Sequence, residues 1–191
     1  MAKAKKSKKT KKQSLTPEQV ISARLRRLAN WEDVNSFFIR LIAMAVLVWI
    51  LFGFLFGITP MKNDDMMPRI SAGDLLLYYR LEENWHAQDV MVFEKDGRQY
   101  TGRIVAQGGD SIEITDDARL VINGSTVLES NIYYSTPKYE GRVTYPLTLQ
   151  DGQFFVLCDY REGAKDSRYF GAVDQIDVKG KVITVIRRSG L

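Results

Sequence analysis

An uninterrupted run of apolar residues near the N-terminus constrains this chain more than any other feature. Residues Leu41 to Ile58 carry only apolar side chains or glycine. As a helix rising about 1.5 Å per residue, the run spans roughly 27 Å, close to the hydrocarbon thickness of a bilayer. Arg40 can reach the headgroups at one end, and Thr59-Pro60 follows at the other. The run predicts a membrane anchor within residues 37–59.

The charge is distributed unevenly on the two sides of this run. Residues 1–40 hold 11 of the 27 Lys/Arg but only 3 of the 23 Asp/Glu, which leaves 16 basic and 20 acidic residues for the rest. The basic side of an anchor stays in the cytoplasm, so we expect residues 60–191 outside the cell membrane. A cleavable signal peptide is not indicated, because its apolar core would be shorter and followed by small residues.

The basic segment before the anchor, residues 1–36, indicates a cytoplasmic tail. The lysine tract from Lys3 to Lys12 is typical of a flexible tail near anionic lipid. A net positive charge confined to the part before the anchor argues against a nucleic-acid-binding domain, which would spread its basic residues over a folded face. Thr16-Pro17-Glu18-Gln19 predicts a helix start. An interfacial amphipathic helix and a partner-binding helix both remain open for the residues that follow.

The region after the anchor predicts an all-β domain, residues 60–191. Short runs of β-branched, aromatic and leucine residues alternate with turn signals, and Asn123-Gly124 is the strongest hairpin signal. The single cysteine, Cys158, excludes an intrachain disulfide and indicates a buried thiol. The predicted strands are Leu75–Arg80, Val90–Glu94, Arg98–Gln107, Ser111–Thr115, Arg119–Ile122, Gln153–Cys158 and Lys181–Arg187.

Four segments in order carry a resemblance to a known family. They run from Met61 to Asp74, from Tyr100 to Ile114, from Val121 to Gly124 and from Cys158 to Gly171. The first contains Asp65-Met66-Met67-Pro68 and ends in Gly73-Asp74. Together they resemble the conserved boxes of type I signal peptidases, behind a single membrane anchor as in that family. The resemblance implies a signal-peptidase-like β ectodomain.

The positions that carry the chemistry in that family differ in this chain. The resemblance places the serine nucleophile at Asp65, the lysine base at Gly102 and the oxyanion-binding serine at Asn63. Glycine has no side chain that could accept a proton. We therefore expect that this chain is a pseudoenzyme, that is, a relative of the peptidases that has no catalytic residues and is not an enzyme. A peptidase with non-standard catalytic residues is the alternative, and a basic side chain other than arginine near Asp65 would favour it.

Other residues offer weaker candidates for catalysis. Asp64 is adjacent to Asp65, and in an extended segment their side chains point to opposite sides, so a pair of carboxylates sharing a proton is not expected. Ser71 is near the first segment but not at the matching position, and we expect a surface or packing role for His86, the only histidine. One histidine and one cysteine cannot form a structural zinc site. We expect no metal and no cofactor.

The resemblance also implies a groove that binds an extended peptide by main-chain pairing. Met61, Met66 and Ile70 match positions that line its apolar pockets, with ordinary core packing as the alternative. Asp166 and Arg168 match residues that brace the site, and we expect a structural ion pair.

Aspartate and glycine at the two catalytic positions resemble the SipA-type proteins of Gram-positive pilus gene clusters. That resemblance implies a chaperone-like assembly factor in the cell membrane, with pilin subunits and a sortase as partners. A membrane scaffold whose cytoplasmic tail binds the partner is a further alternative. It is favoured if deletion of residues 1–36 abolishes function.

Overall fold

The computed structural model describes residues 16–130 and 132–187. The lysine tract from Lys3 to Lys12, predicted as a cytoplasmic tail, lies outside the described residues. The chain divides into two compact units, Met1–Val48 and Trp49–Leu191. The second unit contains all the strands and the candidate site.

A single long helix, α1 (Pro17–Ile50), forms the N-terminal part of the structure and continues into a π-helical turn, Leu51–Leu55. The amide of Thr16 donates to Oε1 of Gln19 at 3.1 Å, one of the two hydrogen bonds of a capping box. The segment Pro17–Leu55 is long and apolar enough to cross a membrane. The interfacial or partner-binding helix predicted before the anchor is thus the first part of this continuous helix.

The apolar run predicted as the anchor extends beyond the helix. Its last residues belong to strand β1 (Phe56–Pro60), which pairs antiparallel with β2 (Leu75–Tyr79). Gly57 permits this pairing, because a Cβ there would lie only 2.2 Å from the ring of Tyr78. Apolar composition alone does not separate the end of a membrane helix from the beginning of a buried strand.

The larger sheet has seven antiparallel strands. Besides β1 and β2, they are β3 (Val90–Lys95), β4 (Arg98–Gln107), β9 (Gln153–Leu157), β10 (Val173–Asp174) and β11 (Val178–Ile186). Their order across the sheet is β1-β2-β11-β3-β4-β9-β10. The sequence predicts the three longest strands, β4, β11 and β3, but not the two-residue edge strand β10.

The smaller sheet has four strands, β5 (Ser111–Ile114), β6 (Leu120–Ile122), β7 (Ser125–Thr126) and β8 (Leu147–Thr148). Their order across the sheet is β7-β6-β5-β8. The predicted hairpin is confirmed, because Asn123 and Gly124 have φ of 52° and 77° between the paired residues Ile122 and Ser125. A type I′ turn requires positive φ at both central residues.

The core that supports the candidate site lies beneath the loop from Met61 to Asp74. Buried Leu76, Tyr78 and Val92 from the large sheet pack there with Cys158. Two further clusters of buried apolar residues lie along the sheets. The remaining elements are a short helix, α2 (Ser167–Phe170), and a 3-10 turn (Gln175–Asp177), both between β9 and β11. The predicted mainly β domain behind one apolar helix is confirmed.

Candidate active site

The loop between β1 and β2 has a closed base. The amide of Met61 donates to the carbonyl of Asp74, and the amide of Gly73 donates back to the carbonyl of Met61, both at 2.8 Å. Within the loop, Oδ1 of Asp64 accepts from the amide of Ala72 at 2.9 Å. Asp64 therefore braces the loop. The chain bends at Asp64 and turns at Asp65, so it is not extended there as the prediction of opposite side-chain orientations assumed.

Asp65 is fixed by both its backbone and its side chain. Its carbonyl accepts from the amide of Tyr160 at 2.8 Å, which ties the loop to the segment after β9. Its Oδ2 accepts from Nδ2 of Asn63 at 2.5 Å. Burial raises the pKa of the half-buried Asp65 carboxyl, the hydrogen bond from Asn63 opposes this, and the charges of Asp166 and Asp64 add to the increase.

Asn63 and Asp65 line a cavity of about 720 Å³. One side is formed by the end of β1 and the start of the loop, and the other by the turn between β3 and β4 with the first residues of β4. Three basic residues also line this cavity, Lys62, Arg98 and Lys165. Glu94 supplies a second carboxylate. The cavity is therefore open, polar and lined by lysines.

Gly102, the position that resembles the lysine base, lies opposite Met91 in the centre of the large sheet. It is not among the residues that line the cavity, although its neighbour Thr101 is. A Cβ at Gly102 would lie 2.6 Å from Cγ1 of Val156 and 3.3 Å from the carbonyl oxygen of Leu157. Val156 therefore occupies the space that a longer side chain at residue 102 would need.

The cavity is not lined by the other nucleophile and base candidates, Cys158, His86 and Ser71. Burial raises the pKa of the Cys158 thiol well above its usual value, so the thiolate is disfavoured. His86 is exposed, and its Nδ1 lies 3.9 Å from Oδ2 of Asp89. The amide of Ser71 donates to Oδ2 of Asp74 within the loop. No group of three or more His, Cys, Asp or Glu that could hold a metal ion occurs in residues 16–130 and 132–187.

The three side chains predicted to line peptide pockets lie mainly in the core. Met66 has no exposed surface, and Ile70 and Met61 are 3% and 5% exposed. Met61 also contributes to the wall of the cavity, whereas Ile70 borders a different cavity of about 520 Å³. This placement agrees with the packing alternative for Met66, and a role of the three in peptide binding stays a prediction.

A buried ionic network lies behind the cavity. Both Asp166 oxygens bind the guanidinium of Arg168, at 2.9 and 2.8 Å, and they also accept from the amides of Arg168 and Cys158. Arg168 in turn donates to the carbonyl of Arg161. The pair predicted from the resemblance thus forms an ion pair that holds the chain after β9.

Sequence reasoning missed two further buried pairs. Arg103 binds both oxygens of Asp159 at 2.8 and 2.6 Å, and Arg161 binds both oxygens of Glu129 at 2.8 and 2.9 Å. All these residues except Glu129 lie in the second and fourth of the four segments, and Glu129 follows shortly after the third. Residues distant in sequence form both pairs, so no local pattern marks them, although buried charges require partners.

Comparisons with known proteins place the chain in a family. A family model described as "Signal peptidase, peptidase S26" matches residues 34–186. Signal peptidase I of Bacillus caldolyticus is 31% identical over 143 residues, covering 68% of this chain and 78% of that protein. Signal peptidase I of Bacillus licheniformis is 28% identical, and the match covers 76% of this chain and 86% of that protein. Signal peptidase IB of Staphylococcus aureus strain N315 is 27% identical, and the match covers 74% of this chain and 83% of that protein.

A solved structure is also similar. Signal peptidase I from Enterococcus faecalis V583 is 29% identical, with a TM-score of 0.43, and the match covers 53% of this chain and 98% of that one.

These comparisons contradict the expectation that the chain is not an enzyme. The relatives are named signal peptidases, which are enzymes, and nothing in the matches indicates a loss of activity. Asp65 and Gly102 stand where the resemblance implies a serine and a lysine, and the cavity instead holds the carboxylate of Asp65 and the amide of Asn63. Since the family model spans most of the chain, the protein belongs to the signal peptidase family, peptidase S26.

Proposed function

We propose that this protein is a membrane-anchored peptidase that cleaves extended segments of other proteins with Asp65 and Asn63 as its catalytic residues. The observation that carries the proposal is the hydrogen bond from Nδ2 of Asn63 to Oδ2 of Asp65 at the wall of the cavity. It holds a carboxylate and a carboxamide side by side where a peptide has access. Lys62 and Lys165 line the same cavity. A basic side chain other than arginine near Asp65 is what favours a peptidase with non-standard catalytic residues.

Peptide binding follows from the shape of the cavity. It lies between the end of β1, an edge strand, and the first residues of β4. An extended segment entering it can form main-chain hydrogen bonds without needing particular side chains. Gln99 fixes the width between the two sides, because its Nε2 donates to Oγ1 of Thr59 at 2.6 Å.

Asp65 acts as the general base in the proposed reaction. Its carboxylate takes a proton from a water molecule, whose oxygen attacks the scissile carbonyl carbon. A pKa above the usual value of a carboxyl makes Asp65 a better proton acceptor. Protonated Asp65 gives this proton to the amide nitrogen as the C–N bond breaks, so that the nitrogen leaves as a neutral amine. The new carboxylic acid then loses its proton to the amine, and the products are a carboxylate and an ammonium group.

Asn63 stabilises the charge that develops in this reaction. Its Nδ2 carries two N–H groups, of which one is engaged by Asp65. The other can donate to the oxyanion of the tetrahedral intermediate, as amide side chains do in other acyl-transfer sites. The carboxylate and the oxyanion donor thus come from residues two positions apart on one braced loop.

The proposal can be tested with purified full-length protein in lipid bilayers. The wild type should release the expected fragment from a signal-peptide-bearing precursor, identified by its new N-terminus. Asp65→Asn should abolish release, and Asn63→Ala should slow it by roughly 100-fold, the usual cost of an oxyanion donor. Asp116→Asn is the matched control, because Asp116 is an exposed aspartate that does not line the cavity, and its cleavage rate should equal that of the wild type. Unchanged cleavage by Asp65→Asn, or none by the wild type, would overturn the proposal.

The proposed partners of the protein, pilin subunits and a sortase, come from the resemblance described above. The cell-membrane location with residues 60–191 outside is likewise a proposal from the charge distribution, supported by the apolar helix Pro17–Leu55. Crosslinking of the full-length protein in its native membrane, followed by identification of bound proteins, tests the predicted partners. Recovery of secreted precursors without pilins or sortase would contradict them.

A further inference from the structure

A second cavity adjoins the one that contains Asp65. Its volume is about 360 Å³, and it lies over Tyr139 and Tyr169. Gly163 and Lys165 line both cavities, so the two are separated only by the segment that carries these residues. A peptide that extends along the first cavity past Lys165 therefore reaches the second.

Two cations in the second cavity are positioned by the same aromatic ring. The guanidinium carbon of Arg142 lies 4.1 Å from the ring centre of Tyr169, and Nζ of Lys165 lies 5.1 Å from it. Cation–π contacts of this kind hold a side chain in place while leaving its charge available. The ring itself is half-buried, which fixes both cations to the folded domain.

Neither cation is neutralised by the protein. Within residues 16–130 and 132–187, Arg142 and Lys165 form no ion pair, and both side chains are exposed. Lys138, at the edge of the same cavity, differs in this respect, because its Nζ lies 2.8 Å from Oδ1 of Asp116. Glu140 is the one carboxylate that lines the cavity among the described residues. Two like charges close to one ring repel each other, and an anion between them relieves that repulsion.

We propose that Arg142 and Lys165 form a subsite for a carboxylate side chain, glutamate or aspartate, of the peptide bound beside Asp65. The inference rests on the proposed function, since it requires a peptide in the first cavity. It adds a preference that the main-chain interactions of that cavity cannot supply. The subsite selects clients that carry an acidic residue at a fixed distance from the bond that Asp65 cleaves.

The test measures peptide binding by full-length protein in detergent. The probes are amidated peptides in which one glutamate moves through an otherwise neutral sequence, and a matching series carries glutamine. Amidation removes the C-terminal carboxylate, so only the side chain supplies the anion. We expect glutamate at one position or two adjacent ones to tighten binding about threefold over glutamine, the usual scale of an exposed ion pair, with the difference decreasing as salt increases.

Single substitutions connect this preference to the subsite. Arg142→Gln should reduce the glutamate preference while binding of the glutamine peptides stays the same, because Arg142 lines only the second cavity. Lys165→Gln should reduce the glutamate preference as well. Arg119→Gln is the control, because it removes one positive charge at a site that lines neither cavity. Equal binding of the two series by the wild type, or a preference that survives both substitutions, would overturn the subsite and leave the proposed function intact. Failure of both series to bind would overturn both.

Discussion

Residue 102 sets a steric limit on any return to a serine–lysine site. A Cβ there would be 2.6 Å from Cγ1 of Val156, closer than real Cβ contacts allow. The glycine and the valine on the neighbouring strand therefore fit each other, and a lysine cannot be added without moving β9 or its side chain. The function proposed above uses the loop instead, where Nδ2 of Asn63 donates to Oδ2 of Asp65.

Substitution of Gly102 tests this fit. Gly102→Ala should lower the free energy of unfolding by about 1–3 kcal/mol, the usual cost of overpacking a core. In Gly102→Ala/Val156→Ala the added methyl group occupies the space vacated by valine, so the double variant should lose less than the sum of the two single losses. Denaturant unfolding of the four proteins gives the coupling. Additive losses would show that the two residues do not compete for space.

The raised pKa of Asp65 predicts a specific pH dependence of stability. Because burial raises this pKa in the folded state above the usual 3.8, the contribution of Asp65 to stability is fully present below pH 3.8 and is lost as the pH rises through the folded-state value. Asp65→Asn should therefore be more stable than the wild type at neutral pH, with the difference vanishing in acid. Unfolding curves of both proteins across this range provide the measurement. A variant that is less stable at neutral pH would contradict the buried-carboxylate account.

At the scale of elements, Arg161 connects the chain after β9 to segments distant in sequence. Its guanidinium donates to the carbonyl of Cys158, to Oγ1 of Thr136 and to both oxygens of Glu129. These contacts position the turn whose Tyr160 amide holds Asp65. The network thus links the smaller sheet's loops to the candidate active site.

Removal of Arg161 should be costly because it leaves a buried carboxylate without a partner. We expect Arg161→Met to lower the free energy of unfolding by about 3–5 kcal/mol. Glu129→Gln/Arg161→Met should recover part of this loss. Arg119→Met, which breaks an exposed pair with Asp117, is the matched control and should change stability little. Thermal unfolding in one detergent compares the stability of the wild type with that of the three variants. An equal loss of stability in Arg161→Met and Arg119→Met would refute the role of burial.

The elements also show which parts of the fold the sequence could predict. All seven strands predicted from apolar runs and turn signals form, because alternation and flanking glycines are local properties. Strands of two residues, such as β7, β8 and β10, leave no such pattern. The boundary at Phe56 was missed because leucine, phenylalanine and glycine suit a membrane helix and a buried strand equally. The pairing of Arg103 with Asp159 depends on strands brought together by the fold, and no local signal marks it.

For the candidate site, the motif order identified Asn63 and Asp65 but not what they do. The sequence comparison with the family's boxes shows which groups are absent. It does not show that the amide of Asn63 contacts the carboxylate of Asp65, or that Lys165 from the fourth segment lines the same cavity. Those facts depend on the loop closed between Met61 and Asp74.

At the scale of the whole molecule, the orientation of the chain can be tested directly. The excess of Lys/Arg before the helix predicts that residues 1–36 face the cytoplasm. Protease added to intact, wall-stripped cells should degrade the region after Thr59 and spare an epitope tag on the tail. Detergent-permeabilised cells are the control, since the tag should then be lost. Protection of residues 60–191 in intact cells would reverse the predicted topology.

The mechanism proposed for Asp65 is activation of a water molecule, and isotope labelling distinguishes it from direct attack by the carboxylate. Full-length wild-type protein in excess over a signal-peptide precursor is allowed one turnover in ¹⁸O-labelled water. Mass spectrometry then locates the label in the signal-peptide fragment, which carries the new C-terminal carboxylate, and in the enzyme peptide that contains Asp65. We expect one ¹⁸O atom in the new carboxylate of the signal-peptide fragment and none in Asp65. Label in Asp65, label missing from the signal-peptide fragment, or no cleavage at all would contradict water activation by Asp65.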